Sequence, residues 1–93
     1  MTGVYLLHFS SPYKHARHYI GWAKMIDKRV EHHKHGTGAK LTRVVVDAGI
    51  ELIVSRIWEG NDKSFERLLK NEKKASRFCP ICNPDTAMNN ARG

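Results

Sequence analysis

Two glycine–tyrosine tripeptides near the N-terminus carry side chains that can do acid–base chemistry. They are Gly3-Val4-Tyr5 and Tyr19-Ile20-Gly21. A tyrosine hydroxyl has an ordinary pKa of about 10, so it acts as a base at neutral pH only where cations or a metal favour the phenolate. Either tyrosine can also be a strand residue packed at a sheet edge. The tripeptides alone therefore do not decide between chemistry and packing.

Arg29 and His33 are four residues apart in a stretch with helical periodicity, so both side chains face one patch of the helix. A guanidinium donates a planar pair of hydrogen bonds, which suits a phosphate. His33 can transfer a proton or donate a hydrogen bond to the same phosphate. His32 and His35 are its alternatives, and Arg29 can instead be a solvated member of a basic helix face.

The charge balance points to a polyanionic partner. Sixteen lysines and arginines against nine aspartates and glutamates give a net charge of +7, and the pI is about 9.7. Nucleic acid is the first candidate and an anionic membrane surface the second. No apolar run approaches the roughly 20 residues of a spanning helix, and no signal peptide is evident, so we expect a cytoplasmic protein. The basic residues expected to contact nucleic acid are Lys14, Arg17, Lys24, Lys40 and Arg43.

The two cysteines, Cys79 and Cys82, form a single Cys-x-x-Cys motif. Two cysteines exclude a disulfide-rich secreted framework. The motif supplies half of a zinc site, which needs four ligands. The pairs His15/His18 and His32/His35 can each complete such a site, and two chains can also share one ion. A pair of reduced thiols is the plainer interpretation, whereas a thioredoxin-like role does not suit a motif so late in the chain.

Hydrophobic periodicity and turn-forming residues divide the chain into six predicted elements. Residues 4–9, 18–22 and 50–58 are rich in strand formers. Residues 10–12 are expected to end the first strand, and residues 13–17 to form a loop. Helical spacing predicts helices at 25–35, 39–48 and 63–74, although Val44-Val45-Val46 disfavours the second because β-branched residues prefer strands. Asp62 is expected to cap the third helix, and Phe65, Leu68 and Leu69 to form its buried face.

This order of elements predicts an α/β or α+β fold with a small three-stranded sheet, mixed or antiparallel, flanked by helices. The 93 residues suffice for one domain. We expect the domain to span residues 1–84 and residues 85–93 to form a flexible tail, because that segment is small and polar.

The chain resembles the GIY-YIG nuclease superfamily, because further motifs follow the two tripeptides in the order expected for that family. The two tripeptides match the name-giving motifs, with Val4 in place of isoleucine. Arg29 follows at the usual spacing, His33 lies one turn later, and residues 38–43 (Gly-Ala-Lys-Leu-Thr-Arg) look like a stretch common in stand-alone members. Residues 65–70 look like the helix that carries the family's metal-binding glutamate. The resemblance covers roughly residues 3–83.

The resemblance implies an endonuclease that hydrolyses DNA phosphodiester bonds with Mg²⁺ or Mn²⁺. Tyr5 would activate or orient the attacking water, with Tyr19 positioning the same centre. Arg29 would contact the scissile phosphate and Glu66 would hold the metal, since Mg²⁺ is bound by one carboxylate together with waters and substrate oxygens. His33 matches a histidine present in some members. Gly21 belongs to the second motif, and Asn83, with Asn71 as its competitor, is the candidate for a supporting asparagine.

Several alternatives remain open from the residues. Glu66 can pair with Lys70 on a solvated helix face without binding metal. A nucleic-acid-binding module without catalysis, stabilised by zinc at the cysteines, is the competing function. A module with no added DNA-binding domain should have weak sequence specificity, recognise DNA structure such as branches or damage, or be targeted by a partner protein.

Overall fold

The computed structural model describes residues 1–84, so the predicted tail lies outside the described residues. Three antiparallel strands form one sheet in the order β2-β1-β3. This confirms the predicted three-stranded α+β fold. No helix among residues 1–84 is long and apolar enough to cross a bilayer. The elements are β1 (Gly3–Tyr13), β2 (Ala16–Ala23), α1 (Ile26–Lys34), α2 (Lys40–Asp47), β3 (Leu52–Glu59), α3 (Lys63–Glu72) and α4 (Ala75–Phe78).

The hairpin of β1 and β2 is longer than predicted. Its strands run in register from Gly3 opposite Ala23 to His8 opposite His18, and they pair again only at Tyr13 opposite Ala16. Residues 9–12 form a bulge between these positions, and a bulge accommodates a proline that lacks the N–H of a regular ladder. The expected strand end at residues 10–12 and the loop at 13–17 are therefore wrong.

The central strand β1 buries both of its faces. Successive strand side chains point to opposite sides of the sheet. Tyr5, Leu7 and Phe9 pack in one core with residues of α1 and α2. Val4 and Leu6 pack in a second core. The residues that complete the second core are Ile20 on β2, Leu69 on α3 and Cys79 after α4.

The helices follow the sequence prediction closely, with two local differences. Helix α2 forms in spite of its β-branched run, because Val45 is fully buried against the first core. Asp62 caps α3 by accepting hydrogen bonds from the backbone N–H groups of Ser64 and Phe65 at 3.0 and 3.2 Å. Leu68 is 54% exposed, so its predicted place in the buried face of α3 is wrong. The short helix α4 was not predicted.

Candidate active site

A hydrogen-bonded chain joins the first tripeptide to both helices that cover its face of the sheet. The Tyr5 hydroxyl lies 2.7 Å from Nε2 of His33 on α1. Nδ1 of His33 lies 2.7 Å from Oγ1 of Thr42 on α2. All three residues are fully buried. Each bond fixes the next side chain, so the Tyr5 hydroxyl is held in one orientation.

The contacts of Thr42 and Ala39 at Nδ1 of His33 bear on the direction of this chain. The Thr42 hydroxyl donates to the carbonyl of Ala39 at 2.9 Å, so a proton on Nδ1 of His33 makes Thr42 Oγ1 its acceptor at 2.7 Å. The backbone N–H of Ala39 is directed at the same Nδ1 at 3.4 Å and favours the opposite tautomer. We assign the proton to Nδ1 on the shorter contact, and in that tautomer Nε2 accepts the proton of the Tyr5 hydroxyl.

Two glycines make room for this chain. A Cβ at Gly21 would stand 2.4 Å from the Tyr5 hydroxyl oxygen. A Cβ at Gly38 would stand 2.2 Å from Nδ1 of His33. Real Cβ atoms do not approach that closely, so a side chain at either position would displace the aromatic ring beside it. Gly21 was predicted as a supporting residue and Gly38 was not.

Tyr19 and Glu66 border the same centre from β2 and α3. The Tyr19 ring packs edge-on against His33 with centroids 5.1 Å apart, and its centroid is 6.2 Å from that of Tyr5. The Lys70 ammonium lies 5.6 Å above the Tyr19 ring and 3.1 Å from Oε2 of Glu66. The pairing of Glu66 with Lys70, which was the alternative to metal binding, is therefore formed. The Glu66 carboxylate is also close enough to Tyr5 to raise the pKa of its hydroxyl, and carboxylate oxygen is a ligand that Mg²⁺ and Mn²⁺ prefer.

Arg29 stands at the mouth of this arrangement. Its exposed side chain lines a surface pocket of about 390 Å³ together with Tyr19, His32 and the loop at Thr37, Gly38 and Ala39. A cation beside a tyrosine in an open pocket can receive a phosphate group. His32 lies on the pocket wall, and His35 faces solvent 3.9 Å from Glu31. Of the three histidines considered, His33 is the one bonded to Tyr5.

The protein's own groups raise the pKa of Tyr5 above its ordinary value. Burial is the largest cause, and Tyr19 adds to it, while Arg29 acts in the opposite direction. Arg29 therefore favours the phenolate, as a cation should, but its effect on the pKa of Tyr5 is smaller than that of burial. Burial, Arg29 and His32 together lower the pKa of His33 to about 4. At neutral pH the centre thus consists of a neutral tyrosine and a neutral histidine.

The basic residues predicted from the sequence are distributed over different parts of the surface. Lys24, Lys40 and Arg43 are exposed, and Lys40 begins α2 directly beside the pocket residue Ala39. Lys14 lies in the hairpin turn over the Tyr13 ring. Arg17 lies on β2, four residues from Gly21, the residue opposite Tyr5, or roughly 13 Å along that strand.

Asn83 does not support this centre. Its backbone N–H donates to the carbonyl of Cys79 at 2.8 Å, and its side chain donates to the carbonyl of Arg77 at 3.4 Å. Asn83 therefore stabilises the turn after α4, and its predicted role is wrong. The competing Asn71 is exposed on α3.

The cysteines lie on the opposite face of the hairpin. Cys79 is buried in the second core and Cys82 is exposed, and neither forms a disulfide. Of the histidines expected to accompany them, His18 is adjacent to Cys82. His15 is exposed at the hairpin turn, His32 lies on α1, and His35 directly follows α1. The partner of His18 is His8, which the sequence interpretation missed.

Sequence reasoning also missed Thr42, although it lies in the stretch 38–43 quoted for the resemblance. A polar residue on the same helix face as the apolar Val45 was the available signal. His8 could have been found from the alternation of Val4, Leu6 and His8 on one face of β1.

A small α+β domain with two tyrosines facing an arginine, a histidine and a glutamate from flanking helices has the arrangement expected of a phosphodiester-cleaving domain. A family model of the GIY-YIG catalytic domain matches residues 1–78. The chain therefore belongs to the GIY-YIG family, whose catalytic domain is generally a nuclease domain. A search of curated proteins and a search of solved structures found no significant match.

Proposed function

We propose that this chain is a divalent-metal-dependent DNA endonuclease whose water-activating group is Tyr5. The observation that carries the proposal is the chain Tyr5–His33–Thr42, which ends beside the pocket that Arg29 lines. This chain gives the Tyr5 proton a defined acceptor. A nucleic-acid-binding surface without catalysis would have no need of a buried tyrosine–histidine pair.

Phosphate binding and Tyr5 activation are coupled through Arg29. The Arg29 guanidinium donates hydrogen bonds to oxygens of the scissile phosphate. Arg29 also lowers the pKa of His33, so a bound phosphate anion offsets that effect and makes His33 a better proton acceptor. The proton of the Tyr5 hydroxyl then moves to Nε2 of His33, and the Tyr5 oxygen accepts a proton from the attacking water.

Glu66 is the residue that would hold the metal. When bound there, Mg²⁺ or Mn²⁺ would supply positive charge to the phosphate and to the leaving oxygen, and it would favour the tyrosinate. Lys70, released from Glu66, remains above Tyr19 where it can contact the same DNA strand. Tyr19 provides the aromatic wall of the centre.

The DNA path follows the exposed edge of β2. The pocket at Arg29 shares Tyr19 with a second depression of about 290 Å³ between β2 and α3, where Lys70 and Lys73 lie. That depression shares His18, Lys73 and Ala75 with a third of about 320 Å³ that includes Arg17 and Lys74. We name these three depressions together the edge groove. Its lysines and arginines can bind successive phosphates without reading base sequence, which fits a weakly specific or structure-directed enzyme.

The decisive experiment compares plasmid nicking by the wild type, Tyr5→Phe and Tyr13→Phe. The two variants lose the same hydroxyl from the same strand, and Tyr13 lies at the far end of the hairpin. We expect metal-dependent nicking by the wild type and Tyr13→Phe that stops in EDTA. Tyr5→Phe should be slower by roughly 10²-fold or more, the usual range for loss of a general base.

The other outcomes each identify the part of the proposal that fails. Equal cutting by the wild type and Tyr5→Phe would keep the nuclease and remove Tyr5 as its activating group. No cutting of plasmid or of nicked and branched duplexes by any variant, with DNA still bound in EDTA, would replace the enzyme with a binding module.

A further inference from the structure

Four metal-ligating side chains converge on the face of the hairpin opposite Tyr5. His8 and His18 stand directly across from each other on β1 and β2. Cys79 and Cys82 reach them from the turn that follows α4. The ligand atoms of all four residues lie within 4.8 Å of one another.

The distances match those between the ligands of a tetrahedral zinc ion. With Zn–N of about 2.05 Å and Zn–S of about 2.3 Å, tetrahedral angles give about 3.3 Å between two nitrogens and about 3.6 Å between nitrogen and sulfur. Nδ1 of His8 lies 3.3 Å from Nε2 of His18. Cys82 Sγ lies 3.5 Å from the first nitrogen and 3.4 Å from the second. Cys79 Sγ lies 3.5 Å from Nδ1 of His8.

Hydrogen bonding among the four groups does not account for this cluster. Nδ1 of His8 has three close neighbours, namely His18, Cys79 and Cys82. A neutral imidazole nitrogen carries either one proton or one lone pair, so it can satisfy one such partner well and not three. Four ligand atoms within 4.8 Å of one another are spaced closely enough to share a central ion.

Charge also favours a cation at this point. Two adjacent thiolates repel each other, and a divalent cation between them removes that repulsion.

We propose that Nδ1 of His8, Nε2 of His18 and the thiolates of Cys79 and Cys82 bind one Zn²⁺ ion as a closed structural site. Two thiolates and two imidazoles in tetrahedral arrangement are typical of zinc and unlike the oxygen ligands of Mg²⁺. Four protein ligands leave no position for a substrate, so this ion takes no part in cleavage. It is distinct from the metal assigned to Glu66, and it does not depend on the proposed function.

The ion ties the end of the described chain to the two strands that carry the tyrosines. His8 is the last paired residue of β1 before the bulge, and His18 directly precedes Tyr19. Zinc bound here fixes the β1–β2 register where the ladder is interrupted. It also holds Cys79 in the second core, where α4 covers Ile20 and Leu69.

The test measures zinc in the full-length protein purified with a non-thiol reductant and without chelators. The variants are Cys82→Ser and His18→Ala, with His15→Ala as the matched histidine control and Glu66→Gln as the control for the other metal. We expect about one zinc per chain in the wild type and both controls. Cys82→Ser and His18→Ala should lose most of it.

Cobalt substitution of the wild type gives a second measurement that does not depend on any variant folding. Tetrahedral Co²⁺ with two thiolates shows intense visible bands and a thiolate charge-transfer band, and Zn²⁺ should displace it. A reduced wild type that neither contains zinc nor binds Co²⁺ in this form would overturn the site. Full zinc retention by His18→Ala, or loss in His15→Ala, would overturn the ligand set.

Discussion

The two faces of the β1–β2 hairpin place similar residue types in opposite situations. On one face Tyr5 and His33 form a directed hydrogen-bonded chain that leads to an open pocket. On the other face His8 and His18 lie beside two cysteine sulfur atoms. These four ligands would fill the coordination of a central ion and leave no place for another ligand. One residue step along a strand separates the faces, because alternate side chains point to opposite sides.

Under the two proposals, one face of this small domain serves reactivity and the other serves stability. The face with Tyr5 and His33, here called the open face, keeps polar groups beside a pocket that a substrate would enter. The face with His8 and His18, here called the closed face, would use ligands already present in the chain, and bound zinc would secure the turn after α4 against the strands. The groups around each histidine therefore decide its proposed role. The role of His33 and the role of His8 with His18 can be tested by separate variants.

The largest expected effect separates the two metal sites. Glu66→Gln should lower the nicking rate roughly 10³-fold, because the metal would lose the carboxylate assigned to hold it. Its stability should change by no more than about 1 kcal/mol, since a partly exposed pair with Lys70 contributes little. Plasmid nicking, thermal unfolding and zinc content are measured on the same preparation.

Glu72→Gln is the control for Glu66→Gln, since it removes the same charge from the exposed end of α3. Wild-type nicking by Glu66→Gln would exclude Glu66 as the metal ligand. Loss of zinc together with activity in that variant would contradict the independence of the two faces.

The hydrogen-bonded chain of the open face is tested at its buried end. Thr42→Val keeps the side-chain shape and leaves Nδ1–H of His33 without an acceptor. An unsatisfied buried donor costs about 1–3 kcal/mol of stability. A His33 ring free to reorient would also hold the Tyr5 proton less well, so we expect kcat to fall roughly 10- to 100-fold with KM little changed. Thr42→Ser should restore most of the rate. Equal kcat values for Thr42→Val and the wild type would show that Thr42 does not orient His33.

Local patterns were enough to predict the sheet, the fold class and three of the four helices within residues 1–84. The strand and helix periodicities of residues 4–9, 25–35 and 63–74 each reflect one buried face, which a single sequence displays. The bulge at residues 9–12 and the partner of His18 depend on cross-strand register, which local patterns do not display. His8 was therefore missed, and Asn83 was assigned to the wrong face because its contacts are set by the turn after α4.

Acid sensitivity distinguishes the buried His33 from an exposed histidine. Its pKa is about 4 in the folded protein against an ordinary 6.5, so between these values the unfolded chain binds more protons. Stability should therefore fall as the pH falls through this window, and linkage gives a loss of about 2 kcal/mol between pH 7 and pH 5. His33→Gln should lose about 2 kcal/mol less than the wild type over the same range. Urea unfolding at both pH values measures the difference, and equal losses would mean that His33 titrates normally.

The smallest effect tests whether the edge groove carries the DNA. Lys73 ends α3 with a positive φ of 54°, a conformation that asparagine tolerates. Lys73→Asn therefore removes one charge from the groove without straining the backbone. Lys34→Gln removes one charge from a separate depression beside Val46 and Leu52. Both are made in the Glu66→Gln background, so that binding is measured without cleavage.

Each phosphate contact adds about one unit to the slope of log affinity against log salt. Lys73→Asn should reduce that slope by about one, whereas Lys34→Gln should leave it unchanged. Equal slopes for both variants would show that only net charge matters and that DNA does not follow the β2 edge. A selective change at Lys73 would place the DNA along the strand that carries both Tyr19 and His18. Zinc bound by His18 on the closed face would then fix the register of β2, the same strand along which the DNA lies.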